Sequence, residues 1–560
     1  MAGLVAFNPD HRALRVPAWL PGLGLYFALA ATSAREVGLV GEVAIGWGAS
    51  APPRVLTDLD PPAAEAPRAW GPFVASQSRP MERLQFGSLE VPLAINSYTG
   101  GLADLPARVV SALAGWQAGA FVGVALGGLL LVLAARFVTI HVGELAGGLG
   151  ALVLGSDWSF VFFKRVLSGT EVLLQAGALL TVWALWSRRW RGGVHGTFGI
   201  ALGVAFGLCA KATFVPVVVA IALAALLTRR DRPAVSPPVA VRWPLLLGLP
   251  LVGLAPLILA NLHATALPVA ARVHSHDTLA MQFSRWSAPS AARESAGNLV
   301  AFFGDPNAFW SWALHADAVP ELSVGRAVSL LVVLWGSVLS WTDRRGAPSP
   351  GDALLRFLSV LCPLATGLLF LANHDLHHLA QASVFWGLWT ALSAVRVAAL
   401  AGRPRSLVRA VVGVGLCAPS VIAGVHQLGE TDSVLATAPQ STFRESGQRA
   451  LLDLLASAQV QRLVTSDYEV YGMVDIRAPG IDLLHTWAAF SRKVHEPWRV
   501  LQIARGGHYL SLRATAPMIY NWSPTPEQVR AASLQAGVHV EPAGELKDGD
   551  AVWASLWRVE

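Results

Sequence analysis

Apolar runs of about twenty residues recur along this 560-residue chain. A helical run of roughly that length matches the hydrocarbon core of a bilayer. Only 14% of the residues are charged and 54% are hydrophobic, whereas a soluble chain would have about a quarter charged residues. The sequence therefore predicts an α-helical polytopic membrane protein.

The apolar runs predict about eleven transmembrane helices. We place them at residues 16–34, 112–134, 139–156, 167–186, 194–210, 212–228, 243–263, 325–342, 354–372, 379–395 and 408–427. Arginine clusters between the runs fall on one side, at residues 12–15, 188–191, 229–232, 344–345 and 403–409. Because arginine and lysine favour cytoplasmic loops, these clusters predict a cytoplasmic N-terminus. They also explain the net charge of +6 as an orientation signal, so no nucleic-acid partner is predicted.

Two domains are predicted from this topology. Residues 1–429 form the membrane domain, with a large first outer loop at about 35–110, and residues 430–560 form an extracytoplasmic domain. In the second domain we predict helices at 444–456 and 524–536, the latter capped by Ser523, and strands at 460–465, 500–503 and 509–513. Alternating helices and strands favour a small α/β fold.

Lys211 stands between two apolar runs, at a depth where an ionisable side chain indicates function. One long helix over 194–228 would put its flanking arginine clusters on opposite sides of the membrane. A hairpin of two short helices keeps both clusters inside and places Lys211 at its tip, on the outer face. The chain has four lysines, and Lys164 and Lys211 are the two in the membrane domain.

Lys164, Arg165 and Lys211 form a candidate cationic cluster for a lipid-linked phosphate at headgroup depth. A second interpretation makes Lys164 and Arg165 an interfacial pair whose charged ends reach the headgroups. In the same way, Lys211 is interpreted either as a phosphate ligand or as the cap of a helical hairpin.

Acidic residues in the first outer loop supply a candidate catalytic base. Sugar transfer needs a carboxylate to accept the proton of the acceptor hydroxyl, and Glu42 lies close after the first helix. Asp58 and Asp60 have the Asp-x-Asp spacing that can hold a divalent metal, although the surrounding prolines and alanines favour a solvated linker.

Three histidines, His374, His377 and His378, form a polar cluster between two apolar runs. A three-residue spacing places side chains on one helical face, which would suit zinc. Contact with a substrate or phosphate is an alternative, and a hydrogen-bonded interfacial turn is another.

Several stretches, taken in order, resemble the GT-C glycosyltransferases, in the bacterial branch related to protein O-mannosyltransferases and to the aminoarabinose transferase of lipid A. They are Glu42, Val91-Pro92-Leu93, Ser97 to Leu102, Ala107 to Ser111, Lys164-Arg165, Gly169-Thr170-Glu171 and Gly207 to Lys211. The resemblance covers roughly residues 15–430.

This resemblance implies a hexosyl- or pentosyltransferase that takes a sugar from a polyprenyl-phosphate donor. Glu42 matches the family's catalytic acid, and Arg165 and Lys211 match its phosphate-binding residues. Glu171 and the three histidines would contact substrate, and neither a cofactor nor a metal is expected. The family usually has an Asp-Glu pair, but here Gly41 precedes Glu42, so Asp58 and Asp60 are substitute bases.

The acceptor is expected to be a lipid, glycan or protein at the outer face of the bacterial cytoplasmic membrane. Two other functions remain open. A transporter of lipid-linked sugars would show inverted repeats or helices broken at the midplane, and the sequence shows neither. A non-catalytic scaffold or receptor would use the membrane part to present the C-terminal domain.

Overall fold

The structure is a computed structural model. It describes residues 17–32, 83–86, 89–92, 101–166, 169–191, 195–231, 243–266, 324–343, 348–372, 380–401, 407–437, 444–465, 470, 473–474, 477–478, 480–485, 497–512 and 524–560.

The membrane domain is almost entirely helical. Its helices are α1 (Leu20–Thr32), α2 (Leu105–Ala114), α3 (Trp116–His141), α4 (Glu144–Ser156), α5 (Trp158–Val166), α6 (Thr170–Arg191), α7 (His195–Ala210), α8 (Val215–Leu227), α9 (Trp243–Ala266), α10 (Val324–Thr342), α11 (Pro350–Ala372), α12 (Ser383–Ala398) and α13 (Leu407–Thr437). A short antiparallel hairpin of β1 (Arg83–Phe86) and β2 (Leu89–Pro92) precedes α2.

Each of the eleven predicted membrane segments coincides with a helix. Within the described ranges, five helices are long and apolar enough to cross a membrane, namely α3, α10, α11, α12 and α13. The pair α4 and α5 would make a sixth span, and α1, α7, α8 and the first part of α9 are shorter apolar helices. The membrane character is therefore confirmed, while the number of eleven spans stays a prediction.

The third predicted segment ends at Ser156, and there α4 meets α5 at an angle of 57°. Asp157 occupies the break, and its Oδ1 accepts hydrogen bonds from Ser159 Oγ at 2.6 Å and from the Phe160 backbone N–H at 3.0 Å. The carboxylate thus satisfies an N–H at the start of α5 that has no partner within the helix. Because of this break, α5 runs at an angle to α4. Lys164 and Arg165 lie in the last turn of α5.

The predicted interruption at Lys211 is confirmed. Helix α7 ends at Ala210, Lys211 has an extended backbone (φ −161°, ψ 136°), and a single 3₁₀ turn leads into α8. Pro216 lies in the first turn of α8, where a backbone N–H would have no partner within the helix. Proline therefore costs no hydrogen bond at this position.

Helix α7 packs closely against α6. A methyl group at Gly177 would lie 2.6 Å from the Gly203 carbonyl oxygen and 2.8 Å from the Gly207 nitrogen, so a glycine is needed where these backbones meet. Helix α8 packs instead on α11. The two short helices at Lys211 therefore have different neighbours.

The C-terminal region contains a mixed five-stranded sheet of order β4-β3-β5-β7-β6. Its elements are α14 (Glu445–Ser457), β3 (Arg462–Thr465), β4 (Asp482–His485), α15 (Pro497–Ile503), β5 (Gly507–Leu512), α16 (Pro526–Ala536), β6 (Val540–Asp548) and β7 (Ala551–Val559). Strand β3 runs parallel to β4 and β5, whereas β7 is antiparallel to β5 and β6.

Adjacent strand residues face two separate hydrophobic clusters. Val464 and Tyr509 pack with α15 and α16, whereas Leu463 and Leu510 pack with α14. Because side chains alternate along a strand, the sheet has helices on both faces. The predicted α/β character of this region is confirmed.

Two local predictions in this region were wrong. Residues 500–503 belong to helix α15, because Pro497 starts a helix and the buried Val500, Leu501 and Ala504 follow a helical period. The N-cap of α16 is Thr525, which exchanges two hydrogen bonds with Gln528; the predicted cap, Ser523, lies outside the described residues. Strands β4, β6 and β7 had not been predicted.

Candidate active site

Polar side chains from distant parts of the sequence meet at one end of the membrane domain, which we call the lysine end. Lys164 Nζ at the end of α5 donates a hydrogen bond to Gln175 Oε1 on α6, at 2.6 Å. Gln175 Nε2 donates in turn to Ser383 Oγ at the start of α12, at 3.0 Å. This chain of bonds connects three helices around one lysine.

The turn at Lys211 joins the same group. Gln381 Nε2, in the 3₁₀ turn that leads into α12, donates to Thr213 Oγ1 at 3.2 Å. Helices α6 and α7 are antiparallel and meet at Gly177, so the first residues of α6 lie level with the end of α7. Both lysines of the membrane domain therefore lie at the same end of the helices.

Charged groups at the lysine end are deeply buried. The exposed fractions are 0% for Lys164, 2% for Lys211 and 1% for Glu171. Because desolvation penalises each isolated charge, buried charges need opposite charges or hydrogen bonds nearby. Glu171 lies in the first turn of α6, four residues before Gln175, the hydrogen-bond partner of Lys164. An acid and an amine thus share a buried environment, as in many enzyme sites.

Arg165 has different surroundings from Lys164. Its Nη1 lies 3.0 Å from Asp432 Oδ1 on α13, and its Nη2 donates to the Leu29 carbonyl oxygen on α1. Next to it, Trp158 Nε1 donates to Thr431 Oγ1 at 2.9 Å. These contacts fasten α5 to α13 and α1, so Arg165 positions the helix that carries Lys164.

Two further buried charged residues lie near the start of α6. Asp104 is 2% exposed and Arg108 is 8% exposed. The backbone at Gly169 comes so close to Asp104 Oδ1 and the Ala103 carbonyl that a side chain at position 169 would overlap them. The short turn before Glu171 is therefore fixed against the segment that opens α2.

The structure places Lys164, Glu171 and Lys211 from the predicted site at the same end of the membrane domain. Arg165 adjoins Lys164 in sequence but contacts α13. The candidate bases Glu42, Asp58 and Asp60, together with His374, His377 and His378, lie outside the described residues. Across the ranges given above, no group of three His, Cys, Asp or Glu side chains is arranged to hold a metal ion.

Sequence reasoning missed Gln175, Gln381, Ser383 and Asp432. A signal existed for Gln175, because it follows Glu171 by four residues on a predicted helix and so shares its face. The other three residues come from α12 and α13, whose contacts with α5 and α6 depend on tertiary packing.

The sequence matches no protein-family model and no curated protein. Among solved structures, the chain is similar to the crystal structure of ArnT from Cupriavidus metallidurans bound to undecaprenyl phosphate. The TM-score is 0.51 at 10% sequence identity, over 96% of this chain and 97% of that one. This chain shares its fold with ArnT. The GT-C fold implied by the sequence resemblance is thereby confirmed.

The archaeal oligosaccharyltransferase AglB from Archaeoglobus fulgidus, in complex with an inhibitory peptide and a dolichol-phosphate, is also similar. Its TM-score is 0.46 at 11% identity, over 88% of this chain and 69% of that one. The similarity to ArnT covers almost the whole length of both proteins. The shared fold therefore includes the C-terminal α/β region as well as the helices.

Proposed function

We propose that this protein is a glycosyltransferase that moves a sugar from a polyprenyl-phosphate donor to an acceptor at the outer face of the bacterial cytoplasmic membrane. One observation carries the proposal. Two buried lysines and a buried glutamate lie at one end of a fold shared with ArnT, a protein seen with undecaprenyl phosphate bound.

Lys164 and Lys211, together with Arg165, are proposed to hold the donor phosphate. Each is buried, and the hydrogen bond from Lys164 goes to the neutral amide of Gln175. A phosphate that replaced this amide would supply the negative charge that a buried ammonium group favours. Lysine is a suitable ligand because its compact charge interacts strongly with phosphate oxygens.

The transfer requires one bond to form and one to break. The acceptor hydroxyl oxygen bonds to the anomeric carbon of the sugar, and the bond from that carbon to the phosphate oxygen breaks. The electron pair stays with the departing polyprenyl phosphate, where the lysines stabilise the developing charge. The hydroxyl proton passes to a carboxylate, which we propose is Glu42, with Asp58 and Asp60 as substitutes.

Further contacts to substrate are proposed for Glu171 and for His374, His377 and His378. The histidines precede Gln381 in the sequence, and Gln381 is hydrogen-bonded at the lysine end. We propose that the outer loops and the C-terminal α/β domain select the acceptor, whether it is a lipid, a glycan or a protein. This arrangement requires the N-terminus to lie in the cytoplasm.

A transfer assay tests the proposal. Purified protein in nanodiscs would be incubated with radiolabelled polyprenyl-phosphate hexoses or pentoses and a membrane extract as acceptor. We expect labelled product from the wild type and a loss of about a hundredfold or more in Glu42→Gln, because a general base contributes about 10²–10⁴ to the rate.

Asp58→Asn and Asp60→Asn serve as matched controls, because each removes one carboxylate from the same loop. Loss of transfer in one of them, with Glu42→Gln fully active, would reassign the base. Failure of the wild type to bind or consume any polyprenyl-phosphate sugar would overturn the proposed function.

A further inference from the structure

A pocket of mixed polar and apolar lining adjoins the lysine end at Ser383. It lies between the break after α4 and helices α10, α12 and α13, and its cavity volume is about 50 Å³. Ser383, which accepts the hydrogen bond from Gln175, also lines this pocket. Two hydrogen bonds therefore separate the pocket from Lys164.

Fixed charges in the pocket are already compensated. Arg326 Nη1 lies 3.2 Å from Asp157 Oδ2, and Arg326 Nη2 donates to Gln427 Oε1 at 3.0 Å. The other oxygen of Asp157 accepts hydrogen bonds at the start of α5. Among the described residues that line the pocket, Asp157 is the one acid, so that part of the lining offers no further carboxylate to a cationic group.

Hydrogen-bonding groups remain available in the pocket. Ser420 is 6% exposed and Gln427 is 4% exposed, and both line the pocket. Neither the Ser420 hydroxyl nor the Gln427 amide nitrogen forms a hydrogen bond with any residue that the structure describes. Both polar groups are accessible from the pocket, so they can bond to a ligand there.

Two tryptophans complete the lining. Trp158 Nε1 donates to Thr431 and Trp386 Nε1 donates to Thr366, so both indoles are held in fixed orientations. Trp158 stacks on Phe162 and is 6% exposed, and Trp386 packs against Trp389, so only part of each indole ring faces the pocket. Rigid aromatic surface beside hydroxyl and amide groups suits a ligand with both C–H faces and hydroxyl groups.

We infer that this pocket binds the sugar of the donor, and that the sugar is neutral and rich in hydroxyl groups. This inference rests on the proposed function. With the phosphate held by Lys164, a sugar beyond Ser383 would reach the hydroxyl of Ser420 and the amide of Gln427. A cationic amino sugar would meet the guanidinium group of Arg326 without a further acid in the described part of the lining to balance it.

Binding measurements on the full-length protein in nanodiscs test the inference. The probes are undecaprenyl phosphate alone and undecaprenyl phosphates carrying glucose, mannose, arabinose or an amino sugar. We expect Ser420→Ala and Gln427→Met each to weaken binding of a neutral glycosylated lipid about tenfold, since one lost hydrogen bond is typically worth about 1 kcal/mol. Binding of the sugarless lipid should change less than about twofold by the same reasoning.

Ser340→Ala is the matched control, because Ser340 is a fully buried helical serine that does not line the pocket. Equal weakening for both lipids would mean that the pocket contacts phosphate or polyprenyl chain, and unchanged affinity in both variants would mean a purely structural role. Tighter wild-type binding of the amino sugar than of every neutral sugar would also overturn the inference. A wild type that binds no polyprenyl phosphate would instead overturn the proposed function itself.

Discussion

The two ends of the membrane domain treat their positive charges differently. At the end of α12 opposite Ser383, which we call the arginine end, Arg356 Nη1 lies 2.9 Å from Asp231 Oδ1. Arg396 lies 2.7 Å from Asp343 and 3.1 Å from Asp352. Each of these arginines forms an ion pair with an aspartate. The pairs connect α11 to the segment after α8, and α12 to α11 and to the end of α10.

At the lysine end, Arg165 also has an aspartate partner, Asp432, but the hydrogen bond of Lys164 goes to an amide. Lys164 donates to Gln175, and neither Lys164 nor Lys211 is more than 2% exposed. Since a buried ion pair contributes little stability beyond its desolvation cost, deeply placed lysines are a poor choice for a helix bundle that only needs stability. Ion pairs therefore hold helices together at the arginine end, and we propose that Lys164 and Lys211 at the lysine end are placed for an anionic ligand.

The largest effect that would test this comparison is expected at Lys211. Lys211→Met keeps most of the side-chain length and removes the charge, so transfer should fall by about a hundredfold or more, as when one group that stabilises developing charge is removed. The loss of transfer should exceed any loss of folded protein. Initial rates and thermal unfolding measure the two quantities.

Lys547→Met is the control for that substitution. Lys547 lies on β6 of the C-terminal sheet, with a side chain that is 59% exposed. If Lys211→Met retained the activity of this control and lost stability instead, Lys211 would be a structural cap of the α7–α8 turn.

A substitution at Arg356 should show the reverse pattern. Arg356 bonds to Asp231, to the Ser340 carbonyl and to the Asp343 carbonyl, and it lies over the Trp341 ring. Arg356→Met should lower the free energy of unfolding by about 3 kcal/mol, because it leaves a partly buried aspartate without its partner. Transfer per folded molecule should change by less than about twofold on the same argument.

Denaturation by sodium dodecyl sulfate, with Asp231→Asn and the double variant, would complete a double-mutant cycle. A positive coupling energy between the two positions is expected. A loss of transfer without a loss of stability would remove the contrast between the two ends.

The smallest effect is expected at Arg396. Its ion pair with Asp343 is more exposed, with side-chain exposures of 24% and 44%. Arg396→Met should therefore lower the free energy of unfolding by only about 0.5 kcal/mol, and the difference should shrink in high salt. A large decrease in the free energy of unfolding that does not depend on salt would show that the Arg396–Asp343 pair is as shielded from solvent as Arg356–Asp231.

Much of the fold could be predicted because membrane helices leave strong sequence signals. Each predicted apolar segment coincides with a helix, and the interruption at Lys211 follows from charge placement alone. The third predicted segment does end at Ser156, but helix α5 and its angle to α4 were not predicted, because a nine-residue helix is too short to be recognised as a membrane span. In the C-terminal region, the short amphipathic helix α15 was mistaken for a strand, since four residues do not separate the two periods.

The candidate site was predictable in part. Lys164, Glu171 and Lys211 stand out in the sequence because charged residues are rare among apolar ones. Gln381, Ser383 and Asp432 do not stand out, since polar residues near helix ends are common. Their importance depends on which helices are neighbours.

The sequence alone determined that this chain is a helical membrane protein, that the chain is interrupted at Lys211, and that its membrane lysines are exceptional. These properties follow from local composition, because lipid excludes charge and unpaired backbone. Only the tertiary structure decided that Lys164 bonds to Gln175 and Ser383, that Arg165 instead fastens α5 to α13, and that Arg326, Ser420 and Gln427 line one pocket. Those contacts join residues up to 267 positions apart, and helix packing brings such residues together in ways that no local pattern records.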